Sequence, residues 1–205
     1  AITFGKSIAT SVIDPIIQGG MRRAENIEQA QFMFKGLMKG SYEWSKIEKD
    51  LSYAVKGTAY GLDDAAKAAS SLYASGVKLT SQNGQMGSSL RAISGVAAMT
   101  GSEYADIANI FTRVAGQGRV MAVDLNSLSA RGLNVAADMG KAFGKTEAEI
   151  RDMVSKGKIS FEDLASVMDK LYGEHAKKAN ETYSGSMKNM FAALSRVGAK
   201  FATGY

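Results

Sequence analysis

Residues 144–164 read GKTEAEIRDMVSKGKISFEDL and contain the starts of two helices. In two places a hydroxyl residue stands three positions ahead of a carboxylate, and the pairs are Thr146 with Glu149 and Ser160 with Asp163. This spacing is typical of a capping box, in which both side chains bind the unpaired backbone N–H groups of a first helical turn. Gly157, between the two pairs, is a residue type that commonly ends a helix. The stretch therefore predicts two short helices.

On both sides of this stretch, apolar residues recur at steps of three and four along most of the chain, which indicates buried helical faces. The residues at this spacing include Leu37, Leu51, Ile93, Met99, Phe111, Met139 and Leu171. Asp63 and Asp64 favour the start of a helix that ends at Ser75, before Gly76, because carboxylates stabilise a helix N-terminus. Ser102 and Asp124 are predicted to be N-caps of later helices.

Near the N-terminus the pattern predicts a helix over about 21–39 and a second one from Trp44 to Val55, with Ser41 as its N-cap. Pro15 and Gly19-Gly20 are expected to end the apolar opening segment. The short connection between the two helices predicts a helical hairpin.

The predicted fold class is therefore all-α: a multi-helix bundle of short Gly- and Ala-rich helices, with an N-terminal hairpin arm and a C-terminal amphipathic helix. The composition changes from aromatic-rich to alanine- and glycine-rich helices near Thr58. We predict an arm over residues 1–57, a helical domain over 58–183, and the start of a basic amphipathic helix over 184–205.

The composition excludes several classes of function. The 205 residues contain no cysteine and only one histidine, His175, so disulfides, thiolate metal sites and histidine clusters are ruled out. No apolar run reaches the roughly 18 to 20 residues of a membrane span. The opening segment also lacks the basic start and cleavage site of a signal peptide. The start at Ala1 without Met and the end within the apolar pattern leave open that the sequence is a fragment of a longer protein.

The net charge of +5 is concentrated at the C-terminal end, because residues 170–205 hold six Lys or Arg and two Asp or Glu. In this region apolar residues lie on one helical face beside basic ones. We predict that the face binds a protein partner through Met187, Met190, Phe191, Leu194, Arg196, Val197 and Phe201. The same basic amphipathic pattern is also found in helices that bind membranes, which leaves a membrane-active factor as an alternative.

Three motifs are weak indications of chemistry. Gly116-Gln117-Gly118-Arg119 lacks the third glycine of a dinucleotide loop and the strand that precedes such a loop, and it implies no phosphate partner for Arg119. His175 lies in a polar stretch typical of a helix surface. The acid pairs, Glu147 with Glu149 and Glu162 with Asp163, lie in first helical turns, where the favourable interaction of a carboxylate with the helix dipole explains their positions. We therefore predict no catalytic, cofactor-binding or metal-binding residue, and no enzyme.

A helix-turn-helix DNA reader is the second alternative. It would span 135–158, with its turn at Gly140 and a recognition helix that starts at Thr146. That helix would present three carboxylates and only Arg151 as a nearby cation, which disfavours contact with phosphates.

Several ordered segments resemble the N-terminal domain of phage tail tape measure proteins. They are the runs LRAISGVA at 90–97, IFTRVAGQGR at 110–119, LNSLSARG at 125–132, GKTEAEIR at 144–151 and GKISFEDL at 157–164. The resemblance covers about residues 58–183, and MRRAENIE at 21–28 resembles the upstream arm of that family.

The resemblance implies a structural virion protein that occupies the tail tube, sets tail length during assembly, and leaves ahead of the DNA at infection. Its implied partners are tail tube and tail tip proteins and tail assembly chaperones, with self-association and host membrane contact during ejection left open and DNA contact at most transient. It would be found in the tail tube lumen of the virion, and in the host cytoplasm during assembly. A single helix of 205 residues would span only about 310 Å, so we interpret this chain as the globular head of a longer polypeptide.

Overall fold

A computed structural model describes residues 2–38, 43–79, 84–181, 190 and 192–193, with side chains from residue 18 onward. Ten helices are packed together in this part of the chain, which confirms the predicted all-α bundle. They are α1 (Ile2–Met38), α2 (Trp44–Val55), α3 (Leu62–Ala74), α4 (Gln85–Thr100), α5 (Tyr104–Gln117), α6 (Ala122–Ser129), α7 (Val135–Phe143), α8 (Glu147–Ser155), α9 (Phe161–Tyr172) and α10 (His175–Asn180). The described residues form no strand, but one antiparallel bridge joins Arg119 to Ser160.

The first helix is longer than predicted. α1 begins at Ile2 and continues through Pro15 and Gly19-Gly20, so the predicted break at these residues is wrong. A glycine costs only about 1 kcal/mol in a helix interior and a proline about 3 kcal/mol, so neither type obliges the chain to turn. The predicted second helix, Trp44–Val55, is confirmed, and its N-cap position is Glu43. Ser41 lies outside the described residues.

Both N-terminal helices pack on α3. Near the start of α3, Arg23 of α1 forms an ion pair with Asp63, with 2.8 Å between Nη1 and Oδ1. Near its end, the Phe34 ring of α1 lies 5.7 Å from the Tyr73 ring, measured between centroids. α1 and α3 therefore run in the same direction. Leu51 of α2 is buried in the same core.

The helix α4 lies at the centre of the bundle, where it packs against α2, α5, α9 and α10. Its close contact with α9 depends on Gly95, since a Cβ at this position would lie 2.0 Å from the carbonyl oxygen of Tyr172. Beside this contact, Arg91 forms an ion pair with Asp169, with 2.7 Å between Nη2 and Oδ2. Ile93 is fully buried, as its spacing predicts.

Both capping boxes are confirmed. The Glu149 N–H donates to Thr146 Oγ1 at 3.3 Å, and the Thr146 N–H donates to Glu149 Oε2 at 2.8 Å. The corresponding distances between Ser160 and Asp163 are 3.0 and 2.9 Å. The glycines that precede the boxes, Gly144 and Gly157, have φ of +65° and +66°. In both Gly-Lys pairs, Gly144-Lys145 and Gly157-Lys158, the glycine therefore ends the preceding helix by adopting the left-handed conformation.

Two other predicted caps are wrong. The N-cap of α5 is Glu103 rather than Ser102. Asp124 is the third residue of α6, where its carboxylate accepts the Met121 N–H at 2.9 Å and the Arg113 Nε–H at 2.8 Å. Asp124 is completely buried, so the ion pair with Arg113 and the bond to Met121 supply the partners that a buried carboxylate needs.

Three residues predicted to face the core are exposed: Leu37, Met99 and Leu171, at 42, 46 and 38%. Each is the penultimate residue of its helix. At the ends of α1 and α9 the core contact is made instead by the next residue, Met38 or Tyr172.

Candidate interaction surfaces

The predicted partner-binding face lies almost entirely outside the described residues. Of its seven members only Met190 is described, in a helical segment with 47% of its surface exposed. Nearby, Ala192 is buried at 3%. Met187, Phe191, Leu194, Arg196, Val197 and Phe201 are not described, so their role stays a prediction.

A second surface lies on the outer side of α1. Met21, Glu25, Glu28 and Phe32 follow one another at steps of four, three and four, which places them on one helical face. Phe32 is 78% exposed and Met21 is 48% exposed, whereas Phe34 on the opposite side is fully buried. Sequence periodicity pointed to the buried side of this helix and gave no signal for Phe32, because a single apolar residue on a polar face has no period.

The acid pairs in first helical turns have local structural partners. Glu147 binds Asn134 and Arg151, and these hydrogen bonds lower the pKa of its carboxyl. The backbone and hydroxyl of Thr146 lower the pKa of Glu149 in the same way. Both carboxyls are thus stabilised as anions by local partners at a helix start. This structural role explains their presence without a role in acid–base chemistry.

The predicted DNA reader has a helix pair in the right place but little positive charge. The turn between α7 and α8 is at Gly144, not at Gly140, which lies inside α7 and packs against the Lys145 backbone. The Arg151 guanidinium lies 2.7 Å from a Glu147 oxygen. The cation that the motif would offer to phosphate is therefore already paired.

The described part of the chain gives no sign of a metal centre or a membrane span. It has no group of three or more His, Asp or Glu side chains arranged to hold a metal ion. His175 is half-buried beside Tyr172, with 6.0 Å between ring centroids. Among the described helices, including α1, none combines the length and the apolar character needed to cross a bilayer.

A small cavity of about 70 Å³ lies between α3 and α5, and Asp64 and Tyr104 are among the residues that line it. Burial, with a smaller contribution from Asp63, raises the pKa of Asp64. Burial also raises the pKa of Tyr60, whose ring lies 5.0 Å from that of Tyr104, to about 12. The Tyr104 hydroxyl is buried, and no described residue gives it a hydrogen bond of ordinary geometry, although it interacts with the Ser94 side chain. Because this oxygen is closed to solvent, we treat the cluster as a feature of stability and not as a binding site.

The described structure is thus an all-α bundle whose candidate contact points are exposed apolar side chains on helices. A family model described as "Tape measure protein" matches residues 18–203. The chain therefore belongs to the tape measure protein family. This family is structural, and membership makes the chain a component of the phage tail that associates with other tail components. No curated protein and no solved structure shows a significant match to the chain.

Proposed function

We propose that this chain is the globular N-terminal region of a tape measure protein that occupies the tail tube and sets tail length during assembly. The single observation that carries the proposal is the family match over residues 18–203, nearly the whole chain. On this proposal the chain acts through protein contacts and not through catalysis, and it leaves the tube lumen when the genome is ejected.

The bundle suits an assembly role better than a measuring role. Apart from α1, the described helices have at most 16 residues, which is about 24 Å at 1.5 Å per residue. Packed side by side, such helices add little length along a tube. We propose that a rod beginning in residues 184–205 provides the length, while the bundle contacts tail tube proteins, tail tip proteins or assembly chaperones.

The partner contacts are proposed to lie on the outer side of α1 and on the C-terminal amphipathic face. Phe32 is the most exposed large apolar side chain in the described structure. Solvent exposure of a large aromatic ring is costly unless a partner covers it, and aromatic residues are enriched at protein interfaces. The C-terminal face is supported only by its sequence pattern.

The proposed domain boundaries can be tested by truncation. Residues 1–57 include Phe34 and Leu51, which are both buried in the core shared with α3. We expect residues 58–183 alone to unfold at a lower denaturant concentration than residues 1–183, as measured by circular dichroism. Equal midpoints would show that the arm contributes nothing to the stability of the domain, whereas failure of residues 58–183 to fold would contradict the boundary at Thr58.

A nonsense mutation tests the proposed function. In the phage that encodes this chain, the Gln29 codon is changed to an amber codon, and the control is growth in a host whose suppressor transfer RNA inserts glutamine. We expect particles from the non-suppressing host to lack tails of normal length, and the suppressing host to restore them, as counted by electron microscopy. Tails of normal length in the non-suppressing host would contradict the proposal.

A further inference from the structure

The bridge between Arg119 and Ser160 builds a small rigid surface between two loops. The Val120 N–H donates to the Ile159 carbonyl at 2.9 Å, and both side chains are fully buried. Because side chains alternate along an extended segment, Arg119 and Met121 lie on the opposite, outer side. Lys158 directly precedes Ile159 on the other loop and is also exposed.

We call this surface the bridge face and define it as Arg119, Met121, Val123 and Lys158. Val123 lies in the first turn of α6 and is 54% exposed, and Met121 is 39% exposed. The face therefore combines two cations with two exposed apolar side chains.

The Arg119 side chain lies across Gly157. A Cβ at Gly157 would be 2.8 Å from Arg119 Nη1 and 3.2 Å from its Cδ, so the glycine leaves the room that this side chain occupies. Gly157 also has φ of +66°, which favours glycine independently. The guanidinium thus packs against Gly157 on one side and is exposed to solvent on the other.

The cations of the bridge face have no carboxylate partner among the described residues. The carboxylates on neighbouring elements are already engaged: Asp152 with Lys156, Asp163 with Ser160, and Asp124 with Arg113. The C-terminal residues 182–205 cannot supply a carboxylate side chain, because they contain no Asp or Glu.

We infer that the bridge face docks an acidic segment of another tail protein that also carries an apolar side chain. Paired charges would contact Arg119 and Lys158, and the apolar side chain would cover Met121 and Val123. Nucleic acid fits less well, because phosphates bind cations and would leave the exposed apolar side chains Met121 and Val123 uncovered, whereas a protein segment can cover them. This inference rests on the proposed function, since it names the chemistry of one tail contact.

Charge reversal tests the inference in assembled tails. The variants are Arg119→Glu with Lys158→Glu, and Lys158→Glu alone, which keeps the Arg119 contact with Gly157. The matched control is Lys145→Glu with Lys170→Glu, which makes the same change of charge at two other exposed lysines. We expect the amount of this chain in purified tails to fall about tenfold in the double variant and less in the single one, because close charge pairs contribute on the order of 1.4 kcal/mol or more. Thermal unfolding by circular dichroism confirms that each variant is folded.

Crosslinking identifies the partner. A photoreactive benzoylphenylalanine replaces Val123 in the phage, and the control site is Met99, an exposed apolar residue on α4. We expect Val123 to give an adduct in tails whose partner peptide, identified by mass spectrometry, comes from another tail protein and has more acidic than basic residues. The adduct should be weaker in the Lys158→Glu background and weakest in the double variant.

Three results would overturn the inference: an adduct to DNA or to a second copy of this chain, no adduct in tails, or normal tail incorporation of the folded double variant. These results are distinct from failure of the proposed function, because that failure appears as normal-length tails in the amber phage. If the wild-type chain is present in tails and the double variant is incorporated equally well, the inference about the bridge face is refuted and the proposed function is not.

Discussion

The contact between Gly95 and the end of α9 predicts that one added methyl group destabilises the bundle. In Gly95→Ala the new Cβ would lie 2.0 Å from the Tyr172 carbonyl oxygen and 2.9 Å from the Gly173 backbone nitrogen. Both atoms are backbone, so no rotamer change relieves the clash. To restore an ordinary contact of 3.4 Å, α4 and α9 must separate by about 1.4 Å.

The expected cost follows from this separation. Overpacking of a core typically costs about 1–3 kcal/mol and sometimes more, and the replacement of a helical glycine by alanine returns up to about 1 kcal/mol. Because the clash is with backbone and also separates Arg91 from Asp169, we expect a net loss of about 2 kcal/mol or more. For a chain of this size that is a fall in melting temperature of roughly 4–8 °C.

Gly36 provides a control, since it is a helical glycine in the last turn of α1 and a Cβ there would meet nothing within 4 Å. Gly36→Ala should therefore raise the free energy of unfolding by about 0.5–1 kcal/mol. Both variants are measured by urea denaturation followed by circular dichroism. Equal stability of Gly95→Ala and the wild type would refute the close packing of α4 on α9.

Three further predictions concern buried polar groups and caps. Tyr104→Phe removes a buried hydroxyl that has no hydrogen bond of ordinary geometry within the described residues, and should raise the free energy of unfolding by about 1 kcal/mol. Tyr172→Phe removes a hydroxyl that donates to Asp138 and should lower it. A loss of stability in Tyr104→Phe would show that its hydroxyl is bonded, with the Ser94 side chain as the partner. Burial raises the pKa of Asp64, so its contribution to stability is present below the ordinary pKa of an aspartate and is lost as the pH rises through the raised value. From pH 3 to 7 the free energy of unfolding of the D64N variant should therefore increase relative to that of the wild type. A constant difference between the two would mean that the pKa is not raised. Ser160→Ala should lower the free energy of unfolding by about 1 kcal/mol, because the Asp163 N–H loses its acceptor. The control Ser166→Ala, at an exposed position in α9, should change it little. Equal effects of the two variants in denaturant titrations would contradict the capping role of Ser160.

The sequence was most informative where local chemistry decides the structure. The boxes at Thr146 and Ser160 depend only on residues three positions apart, and both form as predicted. Longer-range features were less accessible. Leu37 keeps the helical period yet is exposed, and the core contact of the last turn of α1 is made by Met38 instead.

The candidate surfaces differ in the same way. The amphipathic face that includes Met190 was visible as a period in the sequence. The bridge face was not, because Arg119 and Lys158 are separated by 39 positions and meet only through the bridge between their loops. The unusual glycine motif beside Arg119 was the one signal that could have directed attention to it.

The most direct test of the central claim is a denaturing blot of purified phage tails and of infected-cell lysate, probed with antibody against residues 58–183. As a structural tail component, the protein should appear in the tail fraction. On the proposal that this chain is the globular head of a longer polypeptide, the band should run far above 21.7 kDa. A band at 21.7 kDa that is confined to the lysate and absent from tails would contradict the assignment.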